Sequence, residues 1–151
     1  MGAAMAMSMQ SGTQAQATGT VLVLGMGLWV LRSGVGGTGA ACARYLAARG
    51  TAAMFADTRA APPGLAAIRA ALPAAEIYAG QIPQKLPAQI TQVVISPGVD
   101  LHLPVLGDAR QRGVPVLSDI DIFVQEARAP IVAITGSNGK STATSMLGEM
   151  L

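Results

Sequence analysis

Charge is scarce in this chain, at 12% of 151 residues, and aromatic side chains are scarcer still, at 3%. Ten Lys and Arg against eight Asp and Glu leave a net charge of +2. That balance is too weak to lay a basic stripe along a nucleic-acid backbone. Two Tyr, two Phe and one Trp give no platform on which bases could stack, so nucleic acid is excluded as a partner. Cys42 is the only cysteine, which rules out an intrachain disulfide and points to a reducing compartment. Between Ala41 and Ala43 in a predicted helix, it reads as a small buried apolar residue rather than a reactive thiol. His102 is the only histidine and has no cysteine cluster beside it, so a surface loop is expected there and a metal site is not. No apolar run approaches the roughly 18 residues that span a bilayer. The segment Met1 to Thr20 carries no Lys or Arg and lacks the basic start of a secretory signal. Residues 1–20 are expected to form a disordered leader, and the protein to be cytoplasmic.

Apolar residues are plentiful, at 51%. That suits a buried parallel sheet covered by alanine-rich helices and argues against disorder. Val21 to Leu24 reads as a first buried strand that runs into Gly25-Met26-Gly27. A helix follows from about Thr38 to Arg49, stopped by Gly50, and then a second strand from Ala52 to Ala56 with Asp57 at its carboxyl end. Together these form a βαβ unit of the dinucleotide-binding type.

The glycine turn is unusual. Gly34-Val35-Gly36-Gly37-Thr38-Gly39 is a complete GxGxxG, yet Gly25-Met26-Gly27 also looks like the beginning of one. Asp57 lies 23 residues after Gly34 and 32 after Gly25, and a separation of about 20 favours the later glycines. The run before them, Leu28 to Ser33, nevertheless places Arg32 and Ser33 where a central strand should be apolar. The preferred reading keeps Val21–Leu24 as the strand and treats about nine residues as an insertion. Removing Leu28 to Gly36 leaves GMGGTG, and removing Trp29 to Gly37 leaves GMGLTG; the sequence does not choose between them.

Farther on, Pro62 and Pro63 can open a helix that runs through Leu72 to a stop at Pro73. Glu76 to Gly80 reads as a short strand and Gln81 to Gln89 as a loop. Gln92 to Ile95 is the next buried strand, with Ser96-Pro97-Gly98 turning at its carboxyl end, where open α/β sheets bind ligands. A helix from Pro104 to Arg112 and a strand from Val114 to Leu117 follow. Ser118 is a suitable N-cap for a helix over Asp119 to Glu126. Asp119 and Asp121 are two residues apart, so on that helix they face different ways and do not form a catalytic pair. Arg128-Ala129-Pro130 breaks the helix and marks a domain boundary.

Beyond it, Ile131 to Thr135 reads as a buried strand, Gly136-Ser137-Asn138-Gly139 as a phosphate-cradling loop, and Lys140-Ser141-Thr142 as the first turn of a helix. Gly136 and Gly139 let backbone N–H groups face an anion, and the helix start directs its positive end to the same place. Lys140 suits the β- and γ-phosphates, and the Ser141 hydroxyl suits a Mg²⁺ ion. The common GxxxxGK[ST] spacing would need glycine at position 134, which is Ile134 here, so the loop is a shorter GxxGKS variant.

In order along the chain, the glycine turn, Asp-Thr-Arg-x-x-Pro-Pro-Gly-Leu, Ser-Pro-Gly-Val, Ser-Asp-Ile-Asp-Ile-Phe and Ile-Thr-Gly-Ser-Asn-Gly-Lys-Ser-Thr resemble the Mur ligases. The two central motifs are most similar to the branch of that family that adds D-glutamate. The resemblance implies an α/β, Rossmann-like domain over residues 21–128, with a mostly parallel sheet and flanking helices. Residues 129–151 would be the first strand, loop and helix of a truncated P-loop ATP-binding domain. It implies an ATP- and Mg²⁺-dependent amide ligase acting on UDP-N-acetylmuramoyl-L-alanine and D-glutamate through an acyl phosphate, monomeric at full length. Thr38, Asp57, Thr58, Arg59, Ser96, Pro97 and Gly98 would hold the UDP-sugar. Gly136, Ser137, Asn138, Gly139, Lys140, Ser141 and Thr142 would hold ATP, with Lys140 and Ser141 catalytic and Ser141 on the metal. Members of the family are about three times as long, so the chain alone is expected to lack ligase activity. The rival readings are a NAD-binding Rossmann module and a non-functional ligase fragment.

Overall fold

The computed structural model describes residues 19–26 and 37–150. Residues 1–18, 27–36 and 151 lie outside the described residues, and with them Gly27, Trp29, Arg32, Gly34 and Gly36 and most of the expected insertion in either of its two readings. Five strands form one parallel sheet: β1 (Thr20–Leu24), β2 (Ala53–Asp57), β3 (Glu76–Ala79), β4 (Ile90–Ile95) and β5 (Val116–Ser118), in the spatial order β3-β2-β1-β4-β5. Helix α1 (Thr38–Ala48) joins β1 to β2, α2 (Leu65–Ala71) joins β2 to β3, and α3 (Pro104–Gln111) joins β4 to β5. The Rossmann-like reading holds, and all five strands stand where the sequence places them, within a few residues.

The order of strands follows from burial. β2 is buried at every position, and Val21 to Leu24 of β1 are buried too, so both belong in the middle of a sheet covered on two faces. Successive side chains alternate between those faces. Leu22, Leu24, Met54, Ala56 and Val93 form one core layer with Val105, Leu106 and Ala109 of α3. Leu86, in the loop that precedes β4, and Ile90, the first residue of β4, close the same layer. α3 holds this loop with polar groups as well. Asp108 accepts the Leu86 N–H at 2.8 Å, and Arg112 donates to the Leu86 carbonyl at 2.6 Å and, more weakly, to those of Pro87 and Ala88.

Several boundaries differ from expectation by one to three residues, and two of them bear on the cleft. α2 begins at Leu65 rather than at the prolines, because residues 63–64 form a turn in which the Gly64 N–H donates to the Met26 carbonyl at 3.2 Å. β2 runs one residue farther than expected and includes Asp57.

The chain divides into two compact units, one ending at Asp119 and one from Ile120 onward; the boundary expected near residue 129 falls inside the second. α4 (Asp119–Glu126) starts directly after β5 and carries the chain from one unit into the other. In the second unit, the buried strand expected over Ile131 to Thr135 is absent. These residues are irregular, with Ile131 and Val132 exposed. A β-strand needs a neighbour to take its N–H and C=O groups, and among the described residues none pairs with this run. The helix after the loop, α5 (Lys140–Met150), begins at the expected lysine.

Candidate functional site

A strand order of 3-2-1-4-5 has a switch point between β1 and β4, where successive connections leave in opposite directions and a crevice opens at the carboxyl ends. A cleft of about 470 Å³ lies at that place, lined by Gly25 after β1, Asp57-Thr58-Arg59 after β2, and Ser96-Pro97-Gly98 after β4. Six of the seven residues expected to hold a UDP-sugar therefore meet around one space. Thr38 is not among its lining residues. The sequence reading missed Ile82, Val99, Asp100 and Leu103, which also line the cleft.

The rim is built by hydrogen bonds between neighbouring strand ends. The Gly25 N–H donates to the Ala56 carbonyl, and the Ser96 N–H donates to the Leu24 carbonyl, both at 2.9 Å. The Ser96 hydroxyl donates to the Gly25 carbonyl at 2.6 Å, which ties the first glycine turn to the SPG turn. Gly25 sits at φ +88°, and a Cβ there would come within 2.9 Å of the Ser96 Cβ, so only glycine fits.

Asp57 is 3% exposed, and its carboxylate is occupied from within. One oxygen accepts the Met26 N–H at 2.7 Å and the terminal Arg59 guanidinium nitrogen at 2.8 Å. The other accepts the Arg59 N–H and Nε, both at 2.9 Å. The Arg59 side-chain hydrogen bonds hold the carboxyl below the usual carboxylate range, against the opposing effect of burial. Arg59, with its side chain half exposed, is held in turn by this fork across the acid.

Thr38 opens α1 beside the same rim. The α1 N-cap residue is Gly37, which supplies no side-chain cap, and the first turn of the helix contains no acid. The Thr38 hydroxyl instead donates to the Asp119 carboxylate, 81 residues away, at 2.8 Å. Gly39 keeps this first turn against the glycine turn, where a Cβ would lie 3.0 Å from the Met26 Cα. Cys42, on the next turn of α1, is buried; burial foremost, and then the Asp119 charge, push its thiol up to about 11.

In the second unit the loop residues Gly136 to Thr142 are exposed. Gly139 stands at φ +75°, and its carbonyl accepts the Ala143 N–H at 2.9 Å, the first bond of α5. The Lys140 ammonium donates to the Gly136 carbonyl and closes the loop on itself. Ser141 and Thr142 occupy the first turn of α5, whose N–H groups have no acceptor within the helix. Among the described residues, no group of three His, Cys, Asp or Glu is placed to hold a metal ion, and no helix is long and apolar enough to cross a membrane.

A family model for the N-terminal domain of MurD-like Mur ligases matches residues 20–118. The chain belongs to the Mur ligase family. The matched span of this Mur ligase chain ends at the last residue of β5 and takes in the whole cleft. Proteins named UDP-N-acetylmuramoylalanine–D-glutamate ligase are similar over 117 residues: 44% identical in Marinobacter nauticus, 47% in Nitrosococcus oceani and 45% in Pseudomonas aeruginosa. Each alignment covers 78% of this chain and 26% of the relative, so the chain spans about a quarter of the length of these relatives. Two solved structures share the fold. A UDP-N-acetylmuramate–alanine ligase from Thermotoga maritima has a TM-score of 0.53 at 20% identity, covering 86% of this chain and 28% of that one. A pseudomurein peptide ligase of type C from Methanothermus fervidus has 0.52 at 22%, covering 88% and 26%.

Proposed function

We propose that this chain supplies the UDP-sugar-binding domain of a ligase that adds D-glutamate to UDP-N-acetylmuramoyl-L-alanine in the cytoplasm. The observation that carries the reading is the convergence of Asp57-Thr58-Arg59 and Ser96-Pro97-Gly98 on one cleft at the switch point of a MurD-like domain. Thr58, Arg59, Ser96, Pro97 and Gly98 take the uridine and diphosphate in this reading, and Thr38 meets a phosphate from the start of α1. Asp57 acts behind them by fixing Arg59 and the Met26 amide. The second unit takes the triphosphate of ATP on the Gly136–Thr142 loop. Lys140 there neutralises phosphate charge, and Ser141 has the oxygen donor suited to a hard Mg²⁺ ion. ATP supplies the phosphoryl group that activates the substrate carboxylate, and the amine of D-glutamate then displaces it as phosphate. That whole reaction belongs to proteins about three times this length; for these 151 residues the proposal is ligand binding.

A NAD-binding module is the rival, and the occupied carboxylate counts against it. The acid that would take a ribose hydroxyl in a dinucleotide-binding fold already accepts four hydrogen bonds. Isothermal titration of the chain with UDP-N-acetylmuramoyl-L-alanine, with NAD as control, tests the two readings. Heat with the UDP-sugar alone is expected, and heat with NAD alone would replace this reading with its rival.

A further inference from the structure

The reading above takes Thr38 as a phosphate contact, yet its hydroxyl is already donated to a carboxylate. Asp119 comes from the far end of the larger unit, where β5 meets α4. It provides to the α1 start what local sequence does not, because Gly37 gives no side-chain cap and the first turn has no acid. An anion is favoured at a helix N-terminus, and two anions close together there repel each other. The α1 start also abuts Met26, beside the Gly25 edge of the cleft.

We propose that Asp119 is an affinity-setting residue: it stands in for a ligand phosphate at Thr38, and a phosphorylated ligand must displace it or bind against its charge. The inference rests on the proposed uridine-diphosphate site and adds to it a residue outside the glycine, DTR and SPG motifs. It makes the diphosphate part of the ligand costly to bind and leaves the nucleoside part untouched.

Titration calorimetry of the 151-residue chain with UDP and with uridine tests this in three proteins. Asp119→Asn keeps an oxygen that can accept the Thr38 hydroxyl but removes the charge. UDP is expected to bind it at least about fivefold more tightly than wild type, a gain of about 1 kcal/mol at 1.4 kcal/mol per tenfold. Uridine is expected to bind both equally, which also reports that the variant is folded. Asp119→Glu keeps the charge and should stay within about twofold of wild type for UDP. UDP affinity unchanged or weakened in Asp119→Asn, with uridine still bound, would overturn the inference and leave the proposed function standing. Failure of UDP and uridine to bind any of the three folded proteins would overturn both.

Discussion

Replacing Asp57 with alanine should destabilise the larger unit by about 3 kcal/mol. The Met26 N–H, whose bond to Asp57 is buried, would lose its acceptor, and an unsatisfied buried donor costs about 1–3 kcal/mol. The fork with Arg59 adds less than its geometry suggests, because the arginine side chain is half exposed and water screens it; about 1 kcal/mol is a fair allowance. Asp57→Asn keeps one oxygen for the Met26 amide and should lose only about 1 kcal/mol. Urea unfolding followed by circular dichroism gives the comparison, with the midpoint shifting at constant slope. The dependence on pH has a fixed sign. The folded-state pKa of Asp57 is lowered, so its contribution is complete above the unfolded value of about 3.9 and disappears as pH falls through the folded value. The gap between wild type and Asp57→Asn should therefore be widest near neutral pH and close in strong acid. An alanine variant within about 0.5 kcal/mol of wild type at pH 7 would refute the argument, since that is the range of substitutions that touch nothing.

Arg112→Ala removes the strongest tie between α3 and residues 86–88, a 2.6 Å bond to the Leu86 carbonyl, together with a 3.8 Å ion pair to Asp108. A loss of about 1 kcal/mol is expected, with faster amide exchange over residues 82–90; exchange equal to wild type there would mean that the Asp108 bond to the Leu86 N–H and the packing of Leu86 and Ile90 suffice to hold the loop. Cys42 should resist iodoacetamide at pH 8 in the native chain and react once urea unfolds it, because burial and the Asp119 charge keep the thiol protonated to about 11. Native labelling at the rate of a free thiol would contradict the placement of Cys42 within the α1 face.

The parts of the fold that were legible in the sequence are those decided by short-range chemistry. Val21–Leu24 and Val93–Ile95 are near-continuous aliphatic runs, which only a sheet covered on both faces accommodates, and both became central strands. Gly50 and Gly113 ended helices as expected, each at positive φ with its N–H turned back onto the last turn. The same reasoning failed at Ile131 to Thr135. An aliphatic run encodes a preference for pairing, and whether a partner is present is not a local property. In the cleft, the sequence placed Asp57, Arg59 and Ser96 at strand ends but did not reveal which groups were already spent. The fold of Arg59 back onto an acid two residues earlier depends on the Met26 amide, 31 residues away, helping to fix that acid. Ile82 reaches the cleft from a proline-flanked loop with no motif, and Asp119 meets Thr38 across 81 residues.

These spent groups decide what the cleft offers a ligand. In a dinucleotide-binding sheet with the same switch point, the acid after the second strand is the specificity element, because an open carboxylate accepts from a ribose diol. Here that carboxylate is buried and committed, while the arginine it holds is half exposed at the cleft wall. The wall after β2 thus presents an oriented donor and a fixed positive charge instead of an acceptor. Such a surface favours carbonyl oxygens and phosphates over a neutral diol. The Gly98 turn lines the cleft after β4, and near its Gly25 edge stands the start of α1, where Asp119 accepts the Thr38 hydroxyl. On the proposed reading, the uracil carbonyls and the diphosphate of UDP meet these donors, whereas a ribose diol finds its usual acceptor carboxylate already committed.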